Sequence, residues 1–350
     1  MATPTIEGDR SRPIFVTGGT GMVGGAVVER LAAAGRPIRA LVRPTSDTRR
    51  IVALGAEIIE GNLHDSAGLE RACSGCSAVV HTAARVELIS PPRAFRHDNA
   101  EGTRILADAA AKVGVERFVH VSSVAVHGTA GPHGETITET TPLPPLPRFA
   151  GYAVSKRLAE RAVRAAAGRS GMAYVILRLG FVYGPGNRMM HSLLRPLMAK
   201  RTFVMPEGGR RKVAPIYVDD AASAIVAAVD HPAGRNETFL LVGPEQVTQR
   251  SFFSGYAEGF GLAAPTGSVP TVVAFLAAWA VEGLGLIQGR RLPINRAMVG
   301  TCLLPEDFRG DKIQDRLGWS AKVSVEEGLR RTFSWYRQTY ADPGVVKRTW

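Results

Sequence analysis

The chain has 350 residues, enough for one large domain or two modest ones, and its 45% hydrophobic and 21% charged content excludes a disordered protein. The formal net charge of +12 could suit nucleic acid, but the basic residues are scattered with few aromatic residues among them, so we expect no nucleic-acid partner. An anionic cofactor or an acidic membrane surface would explain the charge as well.

The N-terminal residues 1–12 are polar and lack the apolar core of a secretion signal, so we predict a short loose leader. Cys73 and Cys76 form a CxxC pair with no second pair or neighbouring histidines. We therefore expect no metal site and interpret both as small buried residues. The low cysteine content predicts a cytoplasmic protein.

The first half of the chain alternates short apolar, β-branched runs with helical segments. The predicted strands are 13–18, 38–42, 56–61, 78–84, 117–123, 173–180 and 238–243. Helices are predicted up to Gly35, at 66–74, at 99–113 and from Tyr152 onward. Such runs are typical of a parallel sheet buried on both faces. We predict an α/β fold with a Rossmann-type doubly wound parallel sheet over 13–180, to which 212–245 returns.

Beyond residue 181 the loops lengthen and glycine and proline increase, with helices predicted at 191–200 and 219–230. We expect 181–211 and 246–340 to form a smaller, interleaved C-terminal lobe that binds substrate. Segment 271–289 is apolar for about the length of a short membrane span, but Glu282 and glycines interrupt it. We expect this segment to be buried inside the fold, with contact at a membrane surface as the alternative.

The run "VTGGTGMVG" at 16–24 follows the first strand and opens the first helix. Small residues there let the backbone approach a pyrophosphate at a helix N-terminus, where amide donors and the helix dipole favour negative charge. This strand–turn–helix context predicts a dinucleotide cofactor held by Gly18, Gly19, Thr20, Gly21, Met22 and Val23.

The ends of the next three strands indicate which dinucleotide binds. The second strand ends in Arg43 where an NAD-binding fold usually has an acid, and arginine can hold a 2′-phosphate. NADP(H) is therefore favoured and NAD(H) is the alternative. We also expect contacts from Asn62 and Leu63 at the adenine and from Thr82, Ala83 and Ala84 after the fourth strand.

Three side chains are placed to meet at the carboxyl edge of this sheet. Ser123 ends the fifth strand, and Tyr152 and Lys156 stand one helical turn apart. An ammonium and the positive nicotinamide would lower the tyrosine pKa from its usual value, so Tyr152 could act as general acid–base. Ser123 would donate to the same substrate oxygen. The alternative interpretation is an ordinary helical surface pair.

An ordered series of motifs resembles the extended short-chain dehydrogenase/reductase family, most closely its dihydroflavonol-reductase and 3β-hydroxysteroid-dehydrogenase branch. The motifs are "TGGTGMVG", "HTAA", "VSSVAVHG", "YAVSK", "LRLGFVYGPG", "YVDD" and "LGWSAKVSVEEGL". The resemblance implies that Ser123, Tyr152 and Lys156 are catalytic and that Lys156 holds the nicotinamide ribose. It also implies a homodimer through 99–113 and 152–168, and an apolar segment near 271–289 is common in that branch.

The same resemblance implies further site residues. Cofactor contacts are expected from Val121, Leu179 and Val182, and substrate contacts from Val124, His127 and Met189 beside Ser123 and Tyr152. The chain departs from the family pattern at three positions. Leu179 replaces a proline, Asn62 an aspartate and His127 a tyrosine.

We therefore expect an NADP(H)-dependent oxidoreductase that interconverts a carbonyl and a secondary alcohol on a steroid-, flavonoid- or acyl-like substrate. A nucleotide-sugar epimerase or dehydratase with tightly held NAD(P) is the alternative. Those enzymes carry an arginine where this chain has Val213, although Arg210, Arg211 and Lys212 lie just upstream. A non-catalytic NAD(P)-binding scaffold is a third interpretation, but such relatives typically lose the tyrosine or the lysine.

Overall fold

The computed structural model describes residues 10–87, 89–128, 136–187, 189–200, 203–289, 292 and 294–340. Within them the strands are β1 Ile14–Thr17, β2 Ile38–Val42, β3 Glu57–Glu60, β4 Ala78–His81, β5 Arg117–Ser123, β6 Thr136–Ile137, β7 Ala173–Leu179, β8 Phe181–Tyr183, β9 Val204–Pro206, β10 Lys212–Val213, β11 Pro215–Tyr217, β12 Glu237–Leu241, β13 Val247–Thr248, β14 Gly267–Val269 and β15 Asp307–Phe308.

The α-helices of the same residues are α1 Met22–Ala33, α2 Arg49–Ala53, α3 Ser66–Cys73, α4 Pro92–Phe95, α5 Gly102–Lys112, α6 Gly151–Ser170, α7 Arg195–Ala199, α8 Val218–Asp230, α9 Gln249–Gly259, α10 Thr271–Ile287, α11 Arg296–Thr301, α12 Asp311–Leu317 and α13 Val325–Tyr340. Two π-helical turns, Arg96–Glu101 and Met190–Leu194, lead directly into α5 and α7. The predicted helices at 99–113 and 191–200 therefore each begin with a wider turn.

A seven-stranded parallel sheet forms the centre of the molecule, in the order β12-β7-β5-β4-β1-β2-β3. Successive strands are added toward one edge from β1 to β3 and toward the other edge from β4 onward, and the parallel neighbours β1 and β4 place Thr17 opposite His81. A doubly wound sheet opens its ligand crevice at this switch point, outside the carboxyl ends of the strands. The predicted Rossmann-type α/β fold is confirmed, and the crevice lies where Thr17, His81 and Ser123 end their strands.

The outermost strand differs from the prediction of a sheet buried on both faces throughout. Strand β3 pairs only with β2, so it has one open edge. Its two terminal glutamates are exposed and only Ile58 and Ile59 are half-buried. Edge strands meet water and so carry charged residues, which also discourage pairing with another chain.

One hydrophobic core joins the sheet to the segments after residue 181. Aromatic side chains from β8, α9 and α13 pack in the same cluster as Val16 and Leu177 of the sheet: Tyr183, Phe252, Tyr256, Phe333 and Tyr336. Strand β8 and helix α13 lie so close that a Cβ on Gly328 would collide with the Tyr183 hydroxyl. The C-terminal helix therefore closes the core instead of forming a separate unit.

The expectation that segment 271–289 is buried is wrong for one face of α10, the helix that this segment forms. In α10, Ala274 and Ala278 are buried against α11, but Val272 is 70% exposed, Trp279 62% and Ile287 85%. Helix α11 covers only one face, and within the described chain no element packs on the other. No helix of the described residues has both the length and the apolar character needed to cross a membrane.

Residues 1–9 of the predicted leader lie outside the described residues, but its last residue is tied to the sheet domain. Arg12 forms an ion pair with Glu116 and donates to the carbonyl of Cys76 at 2.9 Å. Cys73 and Cys76 are free and buried, and burial raises the pKa of Cys73 to about 12. Thiols held this far from ionisation are structural, as the sequence predicted.

Candidate active site

The glycine-rich turn between β1 and α1 forms a cradle. Gly18 has φ +76°, and a Cβ there would lie 2.6 Å from Thr82 Oγ1 and 2.7 Å from the Ala83 nitrogen. Only glycine lets the turn approach the end of β4 this closely. Helix α1 begins at Met22, its N-cap residue Gly21 provides no side-chain cap, and its first turn contains no acid. Its first backbone N–H groups are therefore open to an anion, and the residues fit a pyrophosphate.

The other predicted cofactor residues lie around this turn. Gly19 is buried, Thr20 and Gly21 are exposed, and Met22 and Val23 are half-buried. Thr82 donates to the Thr17 carbonyl at 2.7 Å, and Ala83 and Ala84 follow it half-exposed. Asn62 is exposed and accepts from the His64 backbone N–H at 2.8 Å, while Leu63 is half-buried against Gly102.

Arg43 lies exposed just after β2. Among the residues that the structure describes, no acid pairs with it. Asp47, the nearest acid along the chain, is held instead by Arg49, with nitrogen–oxygen distances of 2.9 and 2.5 Å. The guanidinium of Arg43 is therefore open to an anionic group at the end of β2.

Ser123, Tyr152 and Lys156 come together at the carboxyl end of β5. Ser123 ends the strand and caps the following 3-10 turn, its Oγ accepting from the Ala125 N–H at 3.2 Å. Tyr152 and Lys156 stand in the first two turns of α6, and Lys156 Nζ is 6.0 Å from the Tyr152 ring centre. The lysine also donates to the Val121 carbonyl at 2.8 Å, which fixes α6 against β5.

The ionisation of this set differs from the expectation. Burial raises the pKa of Tyr152, and a hydrogen bond with Ser123 opposes that rise only partly. Burial also lowers the pKa of Lys156 to about 8, against the opposing charge of Glu160. The predicted lowering of the tyrosine pKa is therefore absent in the protein alone, because desolvation of the phenol outweighs the neighbouring groups.

A buried ion pair that the sequence analysis did not single out lies one helical turn below Lys156. Glu160 accepts from Arg178 on both carboxylate oxygens, at 2.9 and 2.8 Å, and from Ser122 Oγ at 2.7 Å. Burial alone would raise the pKa of Glu160, but Arg178 brings it below its usual value. The sequence did contain a signal for Glu160. The four-residue spacing from Tyr152 to Lys156 is repeated from Lys156 to Glu160, which places the glutamate on the same face of the helix.

His127 is buried next to the ion pair of Glu160 and Arg178. It is 2% exposed, its Nε2 lies 3.2 Å from Arg178, and its ring packs edge-on against Phe308. Val124 is also buried, in a cluster with Leu240 and Phe308. Both were predicted to contact substrate, but the 3-10 turn rotates them inward and presents Ala125 and Gly128 to the pocket instead.

The remaining predicted residues have mixed surroundings. Val121 is buried in β5, and Leu179 is buried in the core at the end of β7. Val182 in β8 and Met189 are half-buried beside the same core. Leu179 is opposite Ser123 in the strand register. Leu179 therefore lies next to the Ser123–Tyr152–Lys156 set, with its side chain in the core.

An apolar pocket opens beside Tyr152. Its lining comes from α4, the 3-10 turn, the proline-rich run, α6 and α11: Phe95, Ala125, Gly128, Leu146, Phe149, Ala150, Tyr152, Ala153, Ala297, Gly300, Thr301 and Leu304. Phe95 also packs edge-on against the Tyr152 ring, with 5.9 Å between ring centres. Leu146 and Phe149 could have been found from their place just before Tyr152. The α11 residues could not, because they are about 150 positions away along the chain.

A second cluster of ligand-type side chains lies outside this pocket. The ligand atoms of His64, His97 and Asp98 lie within 4.8 Å of one another. However, the two imidazoles stack with 3.9 Å between ring centres, and Asp98 is already bound by His97 and Arg85. The carboxylate charge is thus balanced by the arginine, and we assign the cluster no ligand.

The parallel sheet, the glycine cradle and the Ser123–Tyr152–Lys156 set together define an enzyme of the extended short-chain dehydrogenase/reductase type. The chain belongs to the NAD dependent epimerase/dehydratase family, whose model matches residues 14–243. It is accordingly an NAD(P)-dependent enzyme.

Individual relatives have different activities. A 4-hydroxy-2-methyl-3-oxo-4-farnesyl-3,4-dihydroquinoline-1-oxide ketoreductase from Stigmatella aurantiaca is 31% identical over 317 residues, 90% of this chain and 94% of that protein. A decarboxylating sterol-4-alpha-carboxylate 3-dehydrogenase from Dictyostelium discoideum is 26% identical over 90% of this chain and 98% of that one. The crystal structure of Thermotoga maritima UDP-glucose 4-epimerase, at 23% identity, shares the fold with a TM-score of 0.74 over 94% of this chain and 99% of that one.

Proposed function

We propose that this protein is an NADP(H)-dependent oxidoreductase that interconverts a carbonyl and a secondary alcohol on a hydrophobic substrate. The observation that carries the proposal is the apolar pocket lined by Tyr152, in which the phenol is the polar group next to Ser123. A steroid-, flavonoid- or acyl-like skeleton would bury apolar surface there and bring its oxygen to the two hydroxyls. The ketoreductase and the sterol dehydrogenase named above support this substrate class.

The residues have separate roles in this reaction. The nicotinamide cofactor, when bound, supplies or accepts the hydride. In the reducing direction Tyr152 donates its hydroxyl proton to the carbonyl oxygen, and its raised pKa keeps it protonated beforehand. Ser123 donates a hydrogen bond to the same oxygen, where negative charge develops. Lys156, as an ammonium held by the Val121 carbonyl, stabilises the phenolate that the proton transfer leaves behind.

The preference for NADP(H) rests on Arg43. Its guanidinium is exposed at the end of β2. The neighbouring carboxylate of Asp47 pairs with Arg49 and not with Arg43. A 2′-phosphate is dianionic and suits an arginine that has no protein partner.

The epimerase alternative is weakened by the surroundings of Arg211. Of the three basic residues that could serve a nucleotide phosphate, Arg211 is buried, donates to the Leu304 carbonyl and pairs with Glu306 at 3.3 Å. Engaged in this way, it is a poor phosphate ligand. Arg210 and Lys212 are exposed and therefore accessible to a nucleotide phosphate, so the epimerase alternative needs an experimental test.

The central test is Tyr152→Phe. We expect this variant to lose turnover of a hydrophobic ketone, by about 100-fold or more for loss of the general acid, while NADPH binding stays nearly unchanged. NADPH absorbance measures the first and fluorescence titration the second. Tyr174→Phe is the matched control, because that half-exposed tyrosine packs on Arg164 away from the site. Near-normal turnover by Tyr152→Phe would refute the mechanism.

Net cofactor consumption separates the two activities. A reductase oxidises one NADPH for each ketone reduced, whereas an epimerase returns its bound cofactor unchanged. A screen of steroids, aromatic ketones, acyl-CoA derivatives and nucleotide sugars would therefore show absorbance loss only for reductase substrates. Conversion of a nucleotide sugar without NADPH consumption would favour the epimerase.

The assembly is part of the same proposal. Helices α5 and α6, which contain the 99–113 and 152–168 segments expected at a homodimer interface, pack side by side and are joined by Asp108 and Arg169 at 2.6 Å. Light scattering of the purified chain would give its mass in solution, and a monomer would remove this part of the proposal.

A further inference from the structure

Helix α10 presents a continuous apolar face to solvent. The exposed large side chains are Val272, Val273, Leu276, Trp279, Leu284 and Ile287. At about 100° per residue they fall within an arc of about 140° on the helix, and the positions between them are alanine or glycine. Single exposed apolar residues are ordinary, but a contiguous set marks a contact surface. The opposite side packs on α11, so this face is the part of α10 left uncovered by the described chain.

The acidic side chains that contact α10 are engaged in hydrogen bonds or ion pairs. Glu207 accepts from the Thr271 hydroxyl at 2.8 Å at the start of the helix. Glu282 is the sole acid in the α10 sequence, and it is held by the Arg296 backbone N–H at 2.7 Å and the Arg296 guanidinium at 2.8 Å. Arg148 is exposed next to Phe149, which contacts α10, and Arg296 of α11 is half-buried. With the net charge of +12, these residues favour an anionic surface.

The face is structurally continuous with the pocket beside Tyr152. Phe275 of α10 contacts Phe149, with 5.9 Å between ring centres, and Phe149 lines the pocket. Ala297 and Gly300 of α11, the helix on which α10 packs, line it as well. The helix that carries the exposed face therefore packs directly against the wall of the pocket, whose lining includes Tyr152.

We propose that the outer face of α10 docks on an anionic lipid bilayer and that the substrate enters the pocket from that membrane. The helix has 17 residues and one paired charge, which suits a helix lying in the interface, not one crossing it. The substrate part rests on the proposed function, but the docking part does not. A second copy of the chain is the less favoured occupant, because it would bring Arg148 and an equal positive charge against the first.

Vesicle flotation tests the docking directly. The full chain is mixed with vesicles of phosphatidylcholine alone or of phosphatidylcholine with phosphatidylglycerol, and the bound fraction is measured. We expect binding to the anionic vesicles, weakened about tenfold or more when Leu276→Glu and Trp279→Glu are combined. Val52→Glu is the matched control, since Val52 is 52% exposed on α2 and should bind as the unaltered chain does.

Folding and catalysis are followed separately. The double variant should keep its thermal midpoint and its turnover of a water-soluble ketone without vesicles, because the changed side chains are exposed. Tyr152→Phe should bind vesicles normally, so a failure of the catalytic proposal would leave the docking result intact. Trp279 emission should shift to shorter wavelength on binding, and Trp279→Phe should lose that shift.

Three results would overturn the proposal. The first is that the unaltered chain does not bind anionic vesicles. The second is equal binding to vesicles with and without phosphatidylglycerol, which would refute the anionic surface. The third is a concentration-dependent dimer by light scattering that the double variant abolishes, which would assign the face to a second copy.

Discussion

At the scale of single residues, Lys156 is the group whose charge state we expect to limit the proposed catalysis most directly. It is buried, its pKa is lowered to about 8, and the carboxylate of Glu160 acts against that lowering. The ammonium is therefore lost as pH rises through about 8. Glu160 is a positioning residue, since it acts through Lys156 and through Ser122 beside Ser123.

We expect kcat/KM to fall above about pH 8, and Glu160→Gln to move this alkaline limb to lower pH because it removes the charge that supports the ammonium. The measurement is a pH–rate profile. Glu160→Gln also leaves Arg178 buried without its partner, at a cost of about 3 kcal/mol or more, so assays belong at a temperature where the variant is folded. Arg164→Gln is the control, because it removes a half-exposed partner of Glu160 and keeps the carboxylate. An unmoved limb in Glu160→Gln would contradict this assignment.

The proposed role of Arg43 in the choice of cofactor is tested in the same local way. We expect Arg43→Asp to lower the affinity for NADPH about tenfold or more and to raise the preference for NADH, since an acid repels a 2′-phosphate and can accept from a ribose hydroxyl. Fluorescence titration with both cofactors measures the change. Arg49→Ala removes an exposed arginine that is paired with Asp47 and serves as the comparison. An unchanged ratio in Arg43→Asp would leave NADP(H) preference without support.

At the scale of elements, three histidines are buried in or beside β4 and β5. His81 bridges Thr17 and Thr103, with distances of 2.7 and 2.8 Å, and so ties β1 to α5. His120 lies 5.4 Å from the His81 ring, and neither of its nitrogens has a hydrogen-bond partner among the described residues. Burial lowers the pKa of His81 and His127 to about 3 and that of His120 well below its usual value.

These histidines make the fold sensitive to mild acid. Each stays neutral in the folded chain but binds a proton in the unfolded chain below about pH 6.5, so stability is present above that pH and lost as pH falls. Three such groups lower the free energy of unfolding by about 4 kcal/mol for each unit by which the pH falls. We expect the free energy of unfolding, from urea titrations, to drop steeply between pH 6.5 and 5.

A variant isolates one of these contributions. His120→Leu should reduce the slope by about a third and leave stability at pH 7 unchanged or higher, because it removes two nitrogens without partners. His97→Gln, at an exposed position, should leave the slope as it is. An unchanged slope in His120→Leu would show that this histidine does not carry the effect.

Local sequence patterns predicted the elements well and the orientation of side chains less well. Runs such as "IFVT" and "AVVH" are apolar throughout because their strands are covered on both faces, so their positions were predictable. The inward rotation of His127, the outward face of α10 and the pairing of Arg211 with Glu306 depend on residues far along the chain. No local pattern contains that information.

At the scale of the whole molecule, the C-terminal helix α13 is part of the main core. Gly328 lets it approach β8, since any side chain there would meet the Tyr183 hydroxyl, which itself donates to the Ser324 carbonyl at 3.1 Å. Phe333 and Tyr336 of the same helix are buried in the cluster that contains the sheet residues. The sheet and the segments after residue 181 therefore stabilise each other through one core.

Two glycine-to-alanine changes in helices test this packing. Gly328→Ala should destabilise the whole chain by about 1–3 kcal/mol, because the added methyl forces Tyr183 out of place. Gly168→Ala in α6 meets nothing within 4 Å, so it should be neutral or stabilise by up to about 1 kcal/mol. Thermal unfolding of both variants provides the comparison. Unchanged stability of the Gly328→Ala variant would show that α13 shifts to accommodate the added methyl group at little cost.

The shared core also constrains how the protein is made. The ribosome releases β1 to β5 long before α13, and β12 must pair beside β7 across about sixty intervening residues. The apolar cluster that α13 completes therefore stays partly uncovered until that helix is made, and non-local pairing such as that of β7 with β12 is slow. The nascent chain has to be kept from aggregating until its last helix emerges, so a premature stop before residue 325 would yield a chain unable to complete its core.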